Sequence, residues 1–245
     1  MQRQLRGTAV IPAYNEAATI RDLALRTLEQ VPDLVVVDDG STDETASQVA
    51  DLPLTLIRHP QNRGKAASLW SGMQAALQAG SDFVITLDGD GQHAPEDIPR
   101  LVAAHRAHPE HIVIGARLQN REAAPTIRRF ANDFADFWIS WAAGRRIRDT
   151  QSGFRLYPTP LLRRIRVSHD KAHGFVFESE ILIEAARIGF GCHPVPIAAC
   201  YPPQARRSHF RPLADIAAIV RTVAARLLAE GMNPGGLYRL LSRRD

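Results

Sequence analysis

The alternation of short apolar runs with helical stretches restricts the fold of this 245-residue chain more than any single motif. Nearly all-apolar runs occur at 8–12, 34–37, 54–57, 83–87 and 112–115, and segments such as 17–30 and 66–79 between them have helical spacing. Strands of this kind are buried on both faces, so the pattern predicts an α/β fold with a mostly parallel sheet covered by helices. Ligands of such sheets bind beyond the carboxyl ends of the strands. The conspicuous polar clusters fall at those ends: Tyr14-Asn15-Glu16, Asp38-Asp39, Asn62-Arg63-Gly64-Lys65 and Asp88-Gly89-Asp90. Ser41 or Thr42 is placed to cap a further helix after the second strand.

Further along, Pro125 starts a long aromatic-rich helical stretch, and 149–157 reads as a polar loop entering a short strand. A helix is expected from 177 to about 188, a late strand at 192–198 and an amphipathic helix from Pro212. The expected organisation is a basic tail (1–7), one domain (8–211) and a C-terminal helical extension (212–245).

Charge is distributed unevenly. Residues 1–110 carry 9 Lys and Arg against 15 Asp and Glu, whereas 111–245 carry 21 against 11. A carboxylate-rich half facing an arginine-rich half predicts a cleft where a metal meets phosphates. Nucleic acid is not the expected partner, because the arginines are interleaved with apolar runs and no nucleic-acid module is present. Cys192 and Cys200 lack metal-ligand spacing. With neither an apolar signal core nor a membrane-length apolar run, the expected location is the cytoplasm.

Asp88-Gly89-Asp90-Gly91-Gln92 is the chemical centre of the pattern. A turn through Gly89 and Gly91 would converge the two carboxylates, and Gln92 could add a carbonyl oxygen. Hard oxygen ligands of this kind suit Mg²⁺ or Mn²⁺, and such ions suit a diphosphate.

Seven segments in order carry a family resemblance: 10–16 (VIPAYNE), 36–43 (VVDDGSTD), 62–65 (NRGK), 87–97 (LDGDGQHAPED), 115–117 (GAR), 151–155 (QSGFR) and 177–180 (FESE). Together they resemble the family 2 glycosyltransferases of GT-A fold, especially the dolichyl- and polyprenyl-phosphate mannosyl- and glucosyltransferases. The resemblance implies transfer, usually with inversion, of a sugar from a nucleotide diphosphate sugar such as GDP-mannose or a UDP-hexose. It implies that Pro12, Tyr14, Glu16 and Asp39 line the nucleotide pocket, and that Asp88, Asp90 and Gln92 hold Mg²⁺ or Mn²⁺. Arg206 and Arg207 would touch the donor phosphates, while Arg117 with Arg128 or Arg129 would grip a lipid-phosphate acceptor.

Lys65 is either a site cation or only a helix-start cation. Glu178 and Glu180 stand at a helix start, where acids cap, and Glu180 is alternatively an acceptor-pocket residue. His93 is expected to order the metal loop. A hydroxyl acceptor would need a general base, for which Asp149 and Glu180 are the candidates. A basic binding protein without catalysis is the remaining alternative. The short basic C-terminus, with Leu237, Tyr238, Leu240 and Leu241 beside Arg239, fits a peripheral contact at the inner face of the cell membrane, a docked helix or a homodimer contact.

Overall fold

The computed structural model describes residues 5–119, 126–168, 176–198, 220–221, 223–228 and 231–242; for 126–128 only the backbone is described. Seven strands form one sheet: β1 (Gly7–Ala13), β2 (Asp33–Asp38), β3 (Thr55–Arg58), β4 (Phe83–Thr86), β5 (His111–Ala116), β6 (Arg155–Pro158) and β7 (Gly191–Pro196). Their spatial order is β3-β2-β1-β4-β6-β5-β7. β3, β2, β1 and β4 pair in parallel, as do β5 and β7, whereas β6 runs antiparallel to both β4 and β5. The apolar pattern predicts a mostly parallel sheet, but strand direction depends on which end the chain re-enters. Here β6 starts at the ligand rim, with Arg155 paired to Thr86 and Ile114.

Successive strand residues point to opposite faces, so each run feeds two cores. Val10, Val35, Val37, Val84, Ile112 and Ile114 pack under α2 (Lys65–Gln78), α4 (Thr126–Ala143) and α6 (Phe177–Arg187). Ala9, Ile11, Val36, Ile85, Val113 and Leu156 pack under α1 (Ile20–Gln30) and α3 (Ile98–Ala107). Burying both faces of every central strand removes most of its apolar surface from water, at about 25 cal/mol per Å². This gain explains why the elements lie within a few residues of their expected positions. A single helical turn, α5 (Thr159–Leu162), follows β6.

One expected element is absent. After β2 no α-helix follows Ser41 or Thr42, and only a 3₁₀ turn forms at Ser47–Val49. Those side chains are engaged elsewhere: the Asn15 amide donates to Ser41 Oγ (2.9 Å) and the Thr42 amide donates to Asn15 Oδ1 (2.8 Å). Asn15 has φ 56°, a left-handed turn that Asn tolerates, so the loops after β1 and β2 are clasped together.

Residues 223–228 are helical, and the C-terminal helix Pro234–Ser242 docks on the end of α4. There the Trp141 indole donates to the Met232 carbonyl (3.1 Å) and the Asn233 side-chain amide donates to the Trp141 carbonyl (3.2 Å). The expected helix from Pro212 lies largely outside the described residues. Among the described residues, no helix is long and apolar enough to cross a membrane.

Candidate active site

The ends of β1, β2 and β4 meet the starts of α2, β6 and α6 on one rim. The loop after β4 is fixed from three sides. Thr19 Oγ1 donates to the Gly89 carbonyl (2.7 Å), tying the loop to the turn before α1. A Cβ on Gly89 would lie 2.9 Å from the Pro12 carbonyl, so only glycine lets β1 and this loop approach so closely. On the far side, a Cβ on Gly153 would lie 2.5 Å from Asp88 Oδ2; the 151–153 loop therefore packs directly on that carboxylate. Gly91 turns the loop with φ 72°.

The two acids of the motif differ in environment. Burial alone would raise Asp88, but the charges of Lys65, His93 and Arg117 outweigh it and hold its carboxyl at about 2. Asp90 moves up, first by burial and then by repulsion from Asp88. Gln92 braces Asp90: its backbone amide donates to Asp90 Oδ1 (3.0 Å) and its side-chain amide to Oδ2 (2.8 Å), which keeps the Gln92 side chain beside that carboxylate.

His93 is buried, 3% exposed, with its ring 5.4 Å from that of Phe154. Neither ring nitrogen has a hydrogen-bond partner among the described residues. The ring thus packs the loop after β4 against Phe154, the residue just before β6.

Lys65, the first residue of α2, bridges Asp88 Oδ1 (2.6 Å) and Glu178 Oε2 (2.9 Å). A helix N-terminus disfavours a cation, so the two carboxylates and not the helix hold it there. Asp39 is 3% exposed and accepts from the Arg63 amide (2.9 Å), the Gly64 amide (2.7 Å) and His59 Nδ1 (2.7 Å). Its visible work is thus to anchor the loop that launches α2 and positions Lys65. Pro12 is buried, while Tyr14 and Glu16 lie half-buried on the same rim.

Across the sheet, Arg117 leaves β5 and meets Asp149. Arg117 Nε (2.9 Å) and Nη2 (2.7 Å) donate to the two Asp149 oxygens, and its backbone amide adds a third bond (2.7 Å). Burial works to raise Asp149, yet these bonds and the Arg117 charge bring its carboxyl below the ordinary range. Both Asp149 oxygens are thus engaged with Arg117, and the pair orients the guanidinium. Glu180 is buried in the first turn of α6. Arg129 is half-buried near the start of α4. The side chain of Arg128, and Arg206 with Arg207, lie outside the described residues.

Three supports of the site have roles that the sequence reading does not give them. Asp136 accepts from the amides of Asp149 (2.9 Å) and Thr150 (2.7 Å), and burial pushes its carboxyl up to about 6. Arg155, fully buried, donates to the carbonyls of Thr150 (2.6 Å), Ser152 (2.7 Å) and Glu178 (2.8 Å), tying the 150–153 loop to α6. The available signal was an arginine set among Phe154, Leu156 and Tyr157. Glu178, expected as a helix-capping acid, is instead the second carboxylate on Lys65.

No three His, Cys, Asp or Glu side chains among the described residues converge as a metal cage. Two hard carboxylates at a strand end nevertheless fit Mg²⁺ or Mn²⁺, which use one or two carboxylates and take the rest of their shell from phosphates and water.

Residues 8–169 match the model of "Glycosyl transferase family 2". The chain is 28% identical over 213 residues to a UDP-N-acetylglucosamine–dolichyl-phosphate N-acetylglucosaminyltransferase of Methanococcus voltae, covering 78% of this chain and 84% of that one. It is 29% identical over 203 residues to an undecaprenyl-phosphate mannosyltransferase of Micrococcus luteus, covering 79% and 83%. The backbone superposes on glucosyl-3-phosphoglycerate synthase from Mycobacterium tuberculosis with TM-score 0.68 at 23% identity, covering 92% of this chain and 79% of that one. The sheet order is thus that of a GT-A fold, and the family match makes the chain a glycosyltransferase. This chain belongs to glycosyl transferase family 2.

Proposed function

We propose that this enzyme moves a hexose from a nucleotide diphosphate sugar to a polyprenyl-phosphate-like acceptor in one inverting displacement at a membrane surface. The observation that carries the choice of acceptor is the Arg117–Asp149 pair. The guanidinium is clamped on one edge by both oxygens of a carboxylate, which fixes its plane at the cleft. An oriented guanidinium is a phosphate-binding device, and both oxygens of the carboxylate that orients it already accept from Arg117 in place of a hydroxyl proton. A phosphate is already ionised and needs no base.

Attack of a phosphate oxygen on the anomeric carbon, opposite the departing diphosphate, inverts that centre. Arg117 orients the attacking group and Asp149 holds Arg117. Pro12, Tyr14, Glu16 and the Asp39-anchored loop would form the nucleotide side. Asp88 and Asp90 would hold Mg²⁺ or Mn²⁺, which when bound neutralises charge developing on the diphosphate.

A peripheral membrane contact is supported by apolar side chains open to solvent on α4 and beyond it. Phe130, Phe137, Leu228, Tyr238 and Leu241 are among the exposed large hydrophobics, in a half of the chain rich in arginine. Aromatic and aliphatic groups with basic neighbours suit an anionic lipid surface.

The test is a transfer assay with polyprenyl phosphate in anionic vesicles. Arg117→Lys is expected to lower kcat/KM for the acceptor by about ten- to a hundredfold, with donor affinity and donor hydrolysis by water nearly unchanged. Glu180→Gln is expected to hurt less, and transfer is expected to weaken as salt rises. A Glu180→Gln variant dead in transfer, beside a mild Arg117→Lys, would overturn the phosphate acceptor in favour of a hydroxyl one with Glu180 as base.

A further inference from the structure

The Lys65 ammonium sits on the same carboxylate that the metal is expected to use. It lies 2.6 Å from Asp88 Oδ1, with 27% of its side chain exposed and 26% of that of Asp88. It is no wandering surface lysine. The Asp39 carboxylate pins the Arg63 and Gly64 amides immediately before it, and Glu178 Oε2 holds the ammonium from the other side at 2.9 Å. Glu178 is itself fixed, because its carbonyl accepts from Arg155 Nη1 (2.8 Å). Three separate tethers therefore place one positive charge on Asp88 in the protein without ligands.

We propose that Lys65 is a resident counter-cation of Asp88 that an incoming divalent ion must displace. The site then takes up the metal together with a nucleoside diphosphate and takes up the free ion poorly. This rests on the assignment of Asp88 to the metal. A divalent ion arriving alone would leave an ammonium stranded beside it, repelled and with Glu178 as its remaining partner. An ion arriving with a diphosphate brings anionic oxygens to which the ammonium can turn while it keeps Glu178. The donor thus supplies the partner that releases Asp88, and uptake of donor and metal becomes cooperative.

The experiment measures Mn²⁺ binding to the full chain by the loss of the free-ion paramagnetic resonance signal, without nucleotide and then with UDP or GDP. Without nucleotide, Lys65→Met is expected to bind Mn²⁺ at least about tenfold more tightly than wild type. Lys65→Arg, which keeps the charge, is expected to stay within about threefold of wild type. With nucleoside diphosphate present, the advantage of Lys65→Met should shrink or reverse.

A contact readout separates displacement from a diffuse field effect. The ¹⁵Nζ resonance of Lys65 should hold its position with Mg²⁺ alone, at concentrations below its own dissociation constant, and move when a nucleoside diphosphate joins it. If Lys65→Met binds Mn²⁺ no better than wild type, or Lys65→Arg tightens as much as Lys65→Met, the counter-cation idea is wrong. It is wrong too if the Lys65 resonance ignores Mg²⁺ with diphosphate. Asp88→Asn tells the two levels apart. If it abolishes Mn²⁺ binding while Lys65→Met fails to tighten it, only this inference falls; if it leaves Mn²⁺ binding intact, the metal assignment falls as well.

Discussion

The two halves of the sheet hold their carboxylates by different means. In the parallel half (β3, β2, β1, β4), the acids at and after the end of β2 accept mainly from backbone amides of nearby turns, and Asp88 after β4 is the exception, paired with the Lys65 ammonium. Asp38 takes the Ser41 amide, Asp39 the Arg63 and Gly64 amides, and Asp43 the Thr45 and Ala17 amides. In the crossed half, where β6 runs against β4 and β5, site acids meet cationic side chains: Asp149 on Arg117, and Glu178 on Lys65. The first arrangement shapes loops into a fixed cradle and leaves little net charge to rearrange. The second stores ion pairs that a charged ligand can exchange. If the acceptor is a phosphate, as proposed, the enzyme needs both: a rigid seat on one side and a responsive set of cations on the other.

The largest expected effect probes the edge where these halves meet. Asp90→Asn should lower turnover at least about a hundredfold if Asp90 is, as proposed, a ligand of the cation that faces the leaving group. Its melting temperature should hold or rise slightly, since burial and Asp88 already make the Asp90 charge unfavourable. Near-normal turnover, measured as released nucleoside diphosphate with the metal still required, would move the ligand assignment elsewhere.

A smaller effect tests whether the crossed half controls the acid of the parallel half. In Gly153→Ala the new Cβ, 2.5 Å from Asp88 Oδ2, must push that carboxylate aside. Mn²⁺ affinity in the presence of nucleoside diphosphate should weaken by about tenfold, as for other supports of metal ligands. Unchanged affinity with an unchanged melt would mean that the two halves work independently.

The smallest effect lies far from the rim, at the outer edge of the crossed half. His193 on β7 stacks on His108 at 4.3 Å, and His108 lies 5.3 Å from His111. Burial first, and then neighbouring histidines, lower His111 and His193 below their ordinary value of 6.5. The unfolded chain therefore binds protons more readily, so this contribution to stability is present above pH 6.5 and is lost as pH falls through the lowered folded values. Solvent screening keeps the loss small, and urea titrations of His193→Gln should show a flatter acid limb. Turnover per folded molecule should not follow it, because this cluster lies at the opposite end of the strands from Asp88.

The sequence by itself determined the strand positions, the helices that cover them and the clustering of Asp39, Lys65, Asp88, Asp90 and Arg117 at strand ends. These follow from local signals: apolar period, proline and glycine breaks, and the rule that ligands gather where parallel strands finish. It misplaced the helix after β2, because Ser41 and Thr42 found partners on Asn15 rather than on a following helix. Only the tertiary structure decided the direction of β6, the pairing of Asp149 with Arg117 over 32 residues and the buried role of Arg155. It also set Lys65 between Asp88 and Glu178, which come from separate strand-end and helix-start segments far apart in the chain. Such pairings are chosen by the desolvation of charges when distant segments close together. A buried charge must find its opposite or a ring of carbonyls, and sequence spacing carries no record of which partner the packed fold will bring within reach.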